Sequence, residues 1–567
     1  MPGRIYRNEQ AQLSISGEAG VGGYLETATG TDVVGGGGST VSNAAVVGDR
    51  YIRAVSVANY AVGDYIQTVS SDASNQEIRR IIRIDGTTLY LDFPIGFNHA
   101  SGASLNEITA PFTRQANYST FLPGVYETFK TPDLEPTLLP QYLISTTSLR
   151  NFSTIYRGEQ KFLGNVSNLI LLNGFPLRFP IGGVRTTVTP LVGGASATTI
   201  ATTAVAVGDL RVTLTSAAGY VSGDIIIVDT IGTNPEVRRV VTLIGPIVVV
   251  NYPFLFPHAI GANVDEAGAS PIYTHTIVET LVLGTMTWHV QMRDTDGTTA
   301  NDFVRKFIGG AANRATISAE QGKYLTMSFD DVMFLDLVHN QDRHSTIHAT
   351  NDDVVYKSSR ALVLPGTGSD QTINNGIGGA LGAASNALTG ATFPTNEPYY
   401  FSQGDVSLFG VVFARIRDFR LEINNNVQPY YFIRATNLLR GPSRFVAQKR
   451  EYRMFVTIAM PDSISANAIT RTLWKELILE GNYDGITGVG PDGNTGFDIS
   501  LVFTRGTNDT ITITSPPSAA GSGIEAQGCF FIKASHDIGT ESPVQVEGEI
   551  LLRSLQIVVV DSEPVYP

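Results

Sequence analysis

One segment of this chain occurs twice, and that repeat limits what the chain can fold into more than any other feature. Gly48-Asp49, Tyr60 and Gly63-Asp64 return as Gly208-Asp209, Tyr220 and Gly223-Asp224, displaced by 208 − 48 = 160 positions. Glu77-Ile78-Arg79-Arg80, Gly86, Pro94 and His99-Ala100 return as Glu236-Val237-Arg238-Arg239, Gly245, Pro253 and His258-Ala259, displaced by 236 − 77 = 159. One residue is lost in the loop between. Each copy, 41–108 and 193–268, consists of short apolar runs separated by Gly-Asp turns, the pattern of a small β-sandwich or barrel. Two β modules are therefore inserted into something larger. The repeated Glu-x-Arg-Arg and the paired His99 and His258 admit a ligand-site reading. Without a second ligand at metal spacing, the expectation is an exposed turn with a surface ion pair and a loop-capping histidine.

Removing the modules leaves an N-terminal arm (1–40) and two longer regions, 109–192 joined to 269–340, and 396–567. The first carries THTIVETLVLGTMTWHVQMRD and FVRKFIGGAANRATISAEQGKYLTMSFDDVMF, successive strands joined by Gly-containing turns. The second carries VSLFGVVFARIRDFRLEINNN, QPYYFIRAT and KREYRMFVTIAMP in the same plan. Between them 341–395, rich in Gly, Ala, Ser and Asn, reads as a connector. With 57 Gly, 27 Pro and charged residues at only 16%, the chain favours an all-β architecture. Its length suits roughly three to five domains.

In DFRLEINNNVQPYYFI, Phe419, Leu421 and Ile423 alternate with Arg420 and Glu422, three asparagines suggest a turn, and a second alternating run follows. This predicts a half-buried hairpin. Just upstream, Val412, Ala414 and Ile416 occupy the opposite parity, so the phase change at Arg417-Asp418 predicts a bulge. A single amphipathic helix is expected over AITRTLWKELILEG, capped by Ser465 or Asn467 and ended by Gly481, with Ile469, Leu473, Trp474 and Leu477 facing a sheet.

The net charge, 39 − 52 = −13, and the absence of a basic run argue against binding DNA by phosphate neutralisation. They do not exclude letting DNA pass without holding it. Cys529 excludes an intramolecular disulfide framework and suits a small buried side chain in a reducing cytoplasm. The start MPGRIYRNEQAQLSIS has no apolar core, so no secretory signal is expected. The most apolar window, from Val240, is interrupted by Gly245, Pro246 and Pro253, so no membrane insertion is expected either.

His339, His344 and His348, near Asp342, Asp352 and Asp353, form a cluster with ligand character. HSTIHATNDD nevertheless reads as a solvated loop without the Glu of a zinc motif. No nucleophile elbow, phosphate loop or paired catalytic carboxylates are found, so no catalytic, metal or cofactor residue is assigned and an enzyme is not expected.

The second region resembles the tail tube proteins of long-tailed bacteriophages. The resemblance is carried by FSQGDVSLFGVVFARIRDFRLEINNNVQPYYFI, by GPSRFVAQKREYRMFVTI, and by ITRTLWKEL before FDISLVFTRG. The segment MTWHVQMRDTDGTTANDFVRKFIGGAANRATISAEQGKYLTMSFD is similar to the recurring strand, turn and strand of the same proteins. The resemblance implies an all-β chain with two tube-type β-sandwich or barrel domains, a flanking helix and the two inserted modules. Six such domains close a ring, and rings stack into a channel for double-stranded DNA in a virion tail, assembled in the host bacterial cytoplasm. Three copies of two domains each are preferred over six copies using one domain each. Implied partners are further copies of the chain, tail terminator and distal tail or baseplate proteins, and the tape measure protein. Ring or stack contacts are assigned to Asn424, Asn425, Asn426, Arg440, Pro442, Arg444 and Phe445. A glycan-binding adhesin or decoration protein acting through the modules is the alternative.

Overall fold

A computed structural model describes residues 11–18, 26–28, 38–69 apart from 48 and 63, 76–91, 95–108, 114–116, 120–121, 127–141, 154–191, 199–292 apart from 222, 303–339, 397–408, 411–412, 416–431, 442, 444–459, 498–506, 509–515, 529–537 and 545–561. The expected helix at 468–481, the connector, Arg440, His344 and His348 lie outside the described residues. The fold is all-β. Among the described residues no helix is long and apolar enough to cross a membrane.

Eight strands form one continuous wall. They are β1 (Thr128–Gln141), β2 (Thr154–Ile170), β3 (Phe303–Glu320), β4 (Thr326–Phe334), β5 (Ile416–Asn424), β6 (Glu451–Ala459), β7 (Cys529–Asp537) and β8 (Gln545–Leu552). They pair antiparallel in the order β1-β2-β4-β3-β5-β6-β8-β7. The order contains a symmetry. The first four strands, β1-β2-β4-β3, and the last four, β5-β6-β8-β7, follow the same plan, with the third and fourth strands of each set exchanged. The halves meet at β3 and β5, from Arg314↔Asn424 to Glu320↔Asp418. The start of β3 leaves this wall to pair with Met286–Met292, which in turn pairs with Ala11–Gly17.

A second sheet runs Gly182–Leu191, Asn263–Glu279, Gln556–Asp561, Asp509–Ser515, Ile499–Arg505, Gly404–Leu408. In both sheets, a block of strands from the first long region adjoins a block from the second. They bury their apolar residues in one core, where Phe162, Trp288, Phe329, Phe419, Met454, Leu501, Ile550 and Val559 belong to a single cluster. The period-2 alternation of each strand accounts for this. In β5, Phe419, Leu421 and Ile423 are buried while Arg420 is exposed and Glu422 half-buried. Trp288 anchors the centre, edge-on to Phe334 at 5.1 Å and to Phe329 at 6.3 Å.

The repeat of the sequence recurs in three dimensions. The bridges Val41↔Ala54 and Ala45↔His99 correspond to Ala201↔Leu214 and Val205↔His258. Module 1 forms a sheet of its own, whereas module 2 shares the strand Asn263–Glu279 with the sandwich. That strand pairs with Ile226–Val228 through its first residues and with Gly182–Val188 and Ile557–Asp561 further on.

Candidate assembly interface

The eight-stranded wall has a dry face on the core and a wet face of charged side chains. Cross-strand neighbours on the wet face are Glu320 with Asp418, Glu422 with Arg453, and Glu549 with Lys533. Arg453 lies between two strands, bonded to Glu451 at 2.6 Å and to Glu549 at 2.8 Å. These hydrogen bonds hold its guanidinium protonated to higher pH than usual. Arg420 reaches Glu422 at 3.0 Å and lies over the Phe455 ring, and Lys323 reaches Glu320 at 2.6 Å. Among the described wet-face residues acids outnumber bases: Glu159, Glu320, Asp330, Asp331, Asp418, Glu422, Glu451, Glu547 and Glu549 against Lys130, Lys161, Arg314, Arg420, Arg453 and Lys533. A groove over this face runs from Glu127 and Lys323 across Arg420 to Lys533 and Glu549.

The wall ends in two edges. Among the described residues β1 pairs only with β2, and β7 only with β8. Pro132, Pro136 and Pro140 sit in β1, and its register shifts at Lys130/Asp133 and Pro136/Leu138. Proline lacks a donor for a ladder bond and is found on edge strands or at bulges. β7 carries no proline.

The phase change in the sequence is a bulge, with a register shift between Ile416 and Asp418. The expected hairpin at Asn424–Asn426 is not formed. β5 lies between β3 and β6, and the next strand, Gln428–Tyr430, pairs with Arg444–Val446 in a separate ribbon. Side-chain amides redirect the chain there. Asn425 Nδ2 donates to the carbonyls of Pro180 and Ala312, its Oδ1 accepts from Arg450 Nε at 2.7 Å, and Asn313 Oδ1 accepts from the Val427 N–H. Asn425 is wholly buried, so its side chain serves this chain's own core and not a neighbour. Asn426, at φ 47°, donates to the Lys449 carbonyl. Its type suits that left-handed conformation. Arg444 is exposed, while Pro442 and Phe445 are half-buried. In sequence these asparagines look like one turn; only their hydrogen-bond partners, far away in sequence, separate their roles.

The expected surface ion pair of the modules is buried. Glu77 meets Arg79 at 2.5 Å and His99 Nε2 at 2.6 Å and accepts from the Gly96 N–H, with side-chain exposure of 0–4% for all three. Glu236 repeats this with Arg238, His258, and the Leu255 and Phe256 N–H groups. Burial alone would raise each carboxyl's pKa. The guanidinium, the histidine and the backbone donors together pull it below the usual range. Each cluster ties a return loop to its central strand. His339 pairs with Arg305 in a strand, and among the described residues no group of three ligand-type side chains could hold a metal. Cys529 is buried beside Ser515, and desolvation raises its thiol to about 12, which makes it inert.

Residues 362–547 match the model of a family described as phage tail tube protein. A search of curated proteins finds no match to the chain.

Proposed function

We propose that this chain, a phage tail tube protein by its segment 362–547, is the subunit of a hollow tube of stacked rings in which three copies close one barrel around the path of the DNA. The tandem wall carries this reading. β7 holds the place in the second half that β3 holds in the first, and β1 holds the place of β5. Pairing β7 of one copy with β1 of the next would repeat the seam already made inside the chain, except at Pro132, Pro136 and Pro140, which have no N–H to give. Three copies supply 3 × 8 = 24 strands, and closure leaves no edge exposed. Six copies using one half each would leave the other half out of the wall, although both halves share one sheet.

The charged face of the wall then lines the channel. Its excess of carboxylates repels phosphate, and Arg420 and Arg453 are already held by neighbouring acids, so DNA slides past with little adsorption. The modules lie outside, because a domain in the channel would block passage. Terminator, distal tail and tape measure proteins would meet the ends and interior of the tube in the virion tail, after assembly in the host cytoplasm. The role is structural and involves no catalysis.

Negative-stain images of the purified protein test this reading. Stacked annuli with a central hole and three sets of outer projections are expected. Dispersed monomers under all conditions would overturn it.

A further inference from the structure

The two modules share a fold but not an outer face, and the difference gives an internal control. Their inner residues correspond: Ile52, Ile66 and Leu89 of module 1, and Val212, Ile226 and Val248 of module 2, are all buried. On the outer face Val249 of module 2 is fully buried with Leu210 and Tyr252, covered by Tyr273 and Val188 of the sandwich strands and by Phe97 of module 1. Its counterpart in module 1, at 249 − 159 = 90, is Tyr90, which is only half-buried. Tyr90 faces Tyr51 on the adjacent strand, with ring centroids 6.4 Å apart and planes at 46°. Arg83, half-buried, lies over the Tyr90 ring at 5.2 Å and bonds the exposed Asp85 at 3.1 Å. Arg53 is exposed on the same face. The counterparts of Tyr51, Arg53, Arg83 and Asp85 are Arg211, Thr213, Thr242 and Ile244. Module 2 therefore builds the same strands without this aromatic and ionic set, so the fold does not require it.

We propose that the Tyr51–Tyr90–Arg83 face of module 1 is a binding site for an acidic saccharide. A sugar ring has an apolar C–H face and a rim of hydroxyls, each both donor and acceptor. The two tilted tyrosine rings offer a matching shelf with a polar tip. Arg83, which caps part of the Tyr90 ring, and Asp85 beside it supply donors and acceptors next to the Tyr51 ring. With Asp85 balancing Arg83, Arg53 leaves one net positive charge, which suits a carboxylated sugar. Nucleic acid would need a row of cations along its phosphates, and a peptide strand or helix would need an open sheet edge or an apolar groove. The site does not depend on the tube reading, since it lies within one module of one copy.

Titration of the full-length protein with oligogalacturonate, and in parallel with neutral dextran oligomers, tests the site. Saturable binding of oligogalacturonate and weaker or absent binding of dextran are expected. Tyr51→Ala and Tyr90→Ala should each weaken binding about tenfold or more, as removal of an aromatic anchor does. Arg211→Ala in module 2 should leave it unchanged. Tyr90→Phe, which keeps the ring, guards against loss through unfolding and should retain most of the affinity. The proposal is overturned if neither saccharide binds, if the alanine variants bind as the parent does, or if they change only the oligomeric state, which would make this face a contact between copies.

Discussion

Glu77 and Glu236 are carboxylates shielded from water, and each is held by a guanidinium, a histidine and backbone donors. Removing the charge while keeping the shape, as in Glu77→Gln, leaves Arg79 buried beside no acid. Breaking a buried pair in this way costs about 3–5 kcal/mol, and chemical denaturation should show a loss of that size. The sign of the pH dependence follows from the lowered pKa. A carboxyl with a folded pKa below its unfolded value, near 4.5, contributes stability that is present above 4.5 and lost as pH falls through the folded value. Thermal melts should therefore be steady on the neutral side of that value and drop on acidification below it. The acid-induced drop should shrink in Glu77→Gln and shrink further when Glu236→Gln is added. Asn425→Ala tests a neutral counterpart. It strips partners from the buried carbonyls of Pro180 and Ala312, with a cost of about 1–3 kcal/mol.

At the scale of strands, the seam between β3 and β5 is a template for a seam not yet closed. If β7 and β1 of adjacent copies pair as β3 and β5 do, backbone amides of the two edge strands should become protected from hydrogen–deuterium exchange when dispersed protein assembles. Those of β5, paired on both sides within one chain, should change little. Equal protection of β1 and β7 before and after assembly would contradict the seam. The same strands mark how far the sequence could be read. Alternation in Phe419, Leu421 and Ile423 specifies the buried face, and the parity change at Arg417-Asp418 specifies the bulge, because both are local consequences of a two-residue period. Partners are another matter. The three asparagines have the composition of a hairpin turn, but bonds to Pro180, Ala312, Asn313 and Lys449, remote in sequence, send the chain elsewhere. The Glu-x-Arg-Arg repeat likewise reads as a surface turn, because charge alone does not reveal that a loop 19 residues away folds over Glu77. The exchange of third and fourth strands in each half is also a tertiary fact. Sequence can suggest that the two regions share a plan, whereas the order β1-β2-β4-β3-β5-β6-β8-β7 emerges only once the ladders are seen.

For the whole molecule, net charge is a poor guide to what a channel does, because DNA meets individual cations before it senses the sum. A wall of −13 subunits with unpaired arginines would still hold phosphate at each of them. The wet face handles this locally: Arg453 is shared by Glu451 and Glu549, Arg420 is held by Glu422, and Lys323 by Glu320. Replacing both acids around Arg453, in Glu451→Gln/Glu549→Gln, frees one guanidinium per subunit. Such solvated pairs contribute little to stability, so folding and ring formation should survive. Assembled tubes of the double variant should bind duplex DNA more tightly than the parent. Every additional phosphate neutralised should steepen the dependence of log affinity on log salt by about 0.9, and fluorescence anisotropy across a salt series would measure it. In virions the same change should slow DNA release. Unchanged affinity and salt slope, in tubes that still form, would mean that this face does not line the DNA path, and the acids of the wall would then have to be explained as ordinary surface charge.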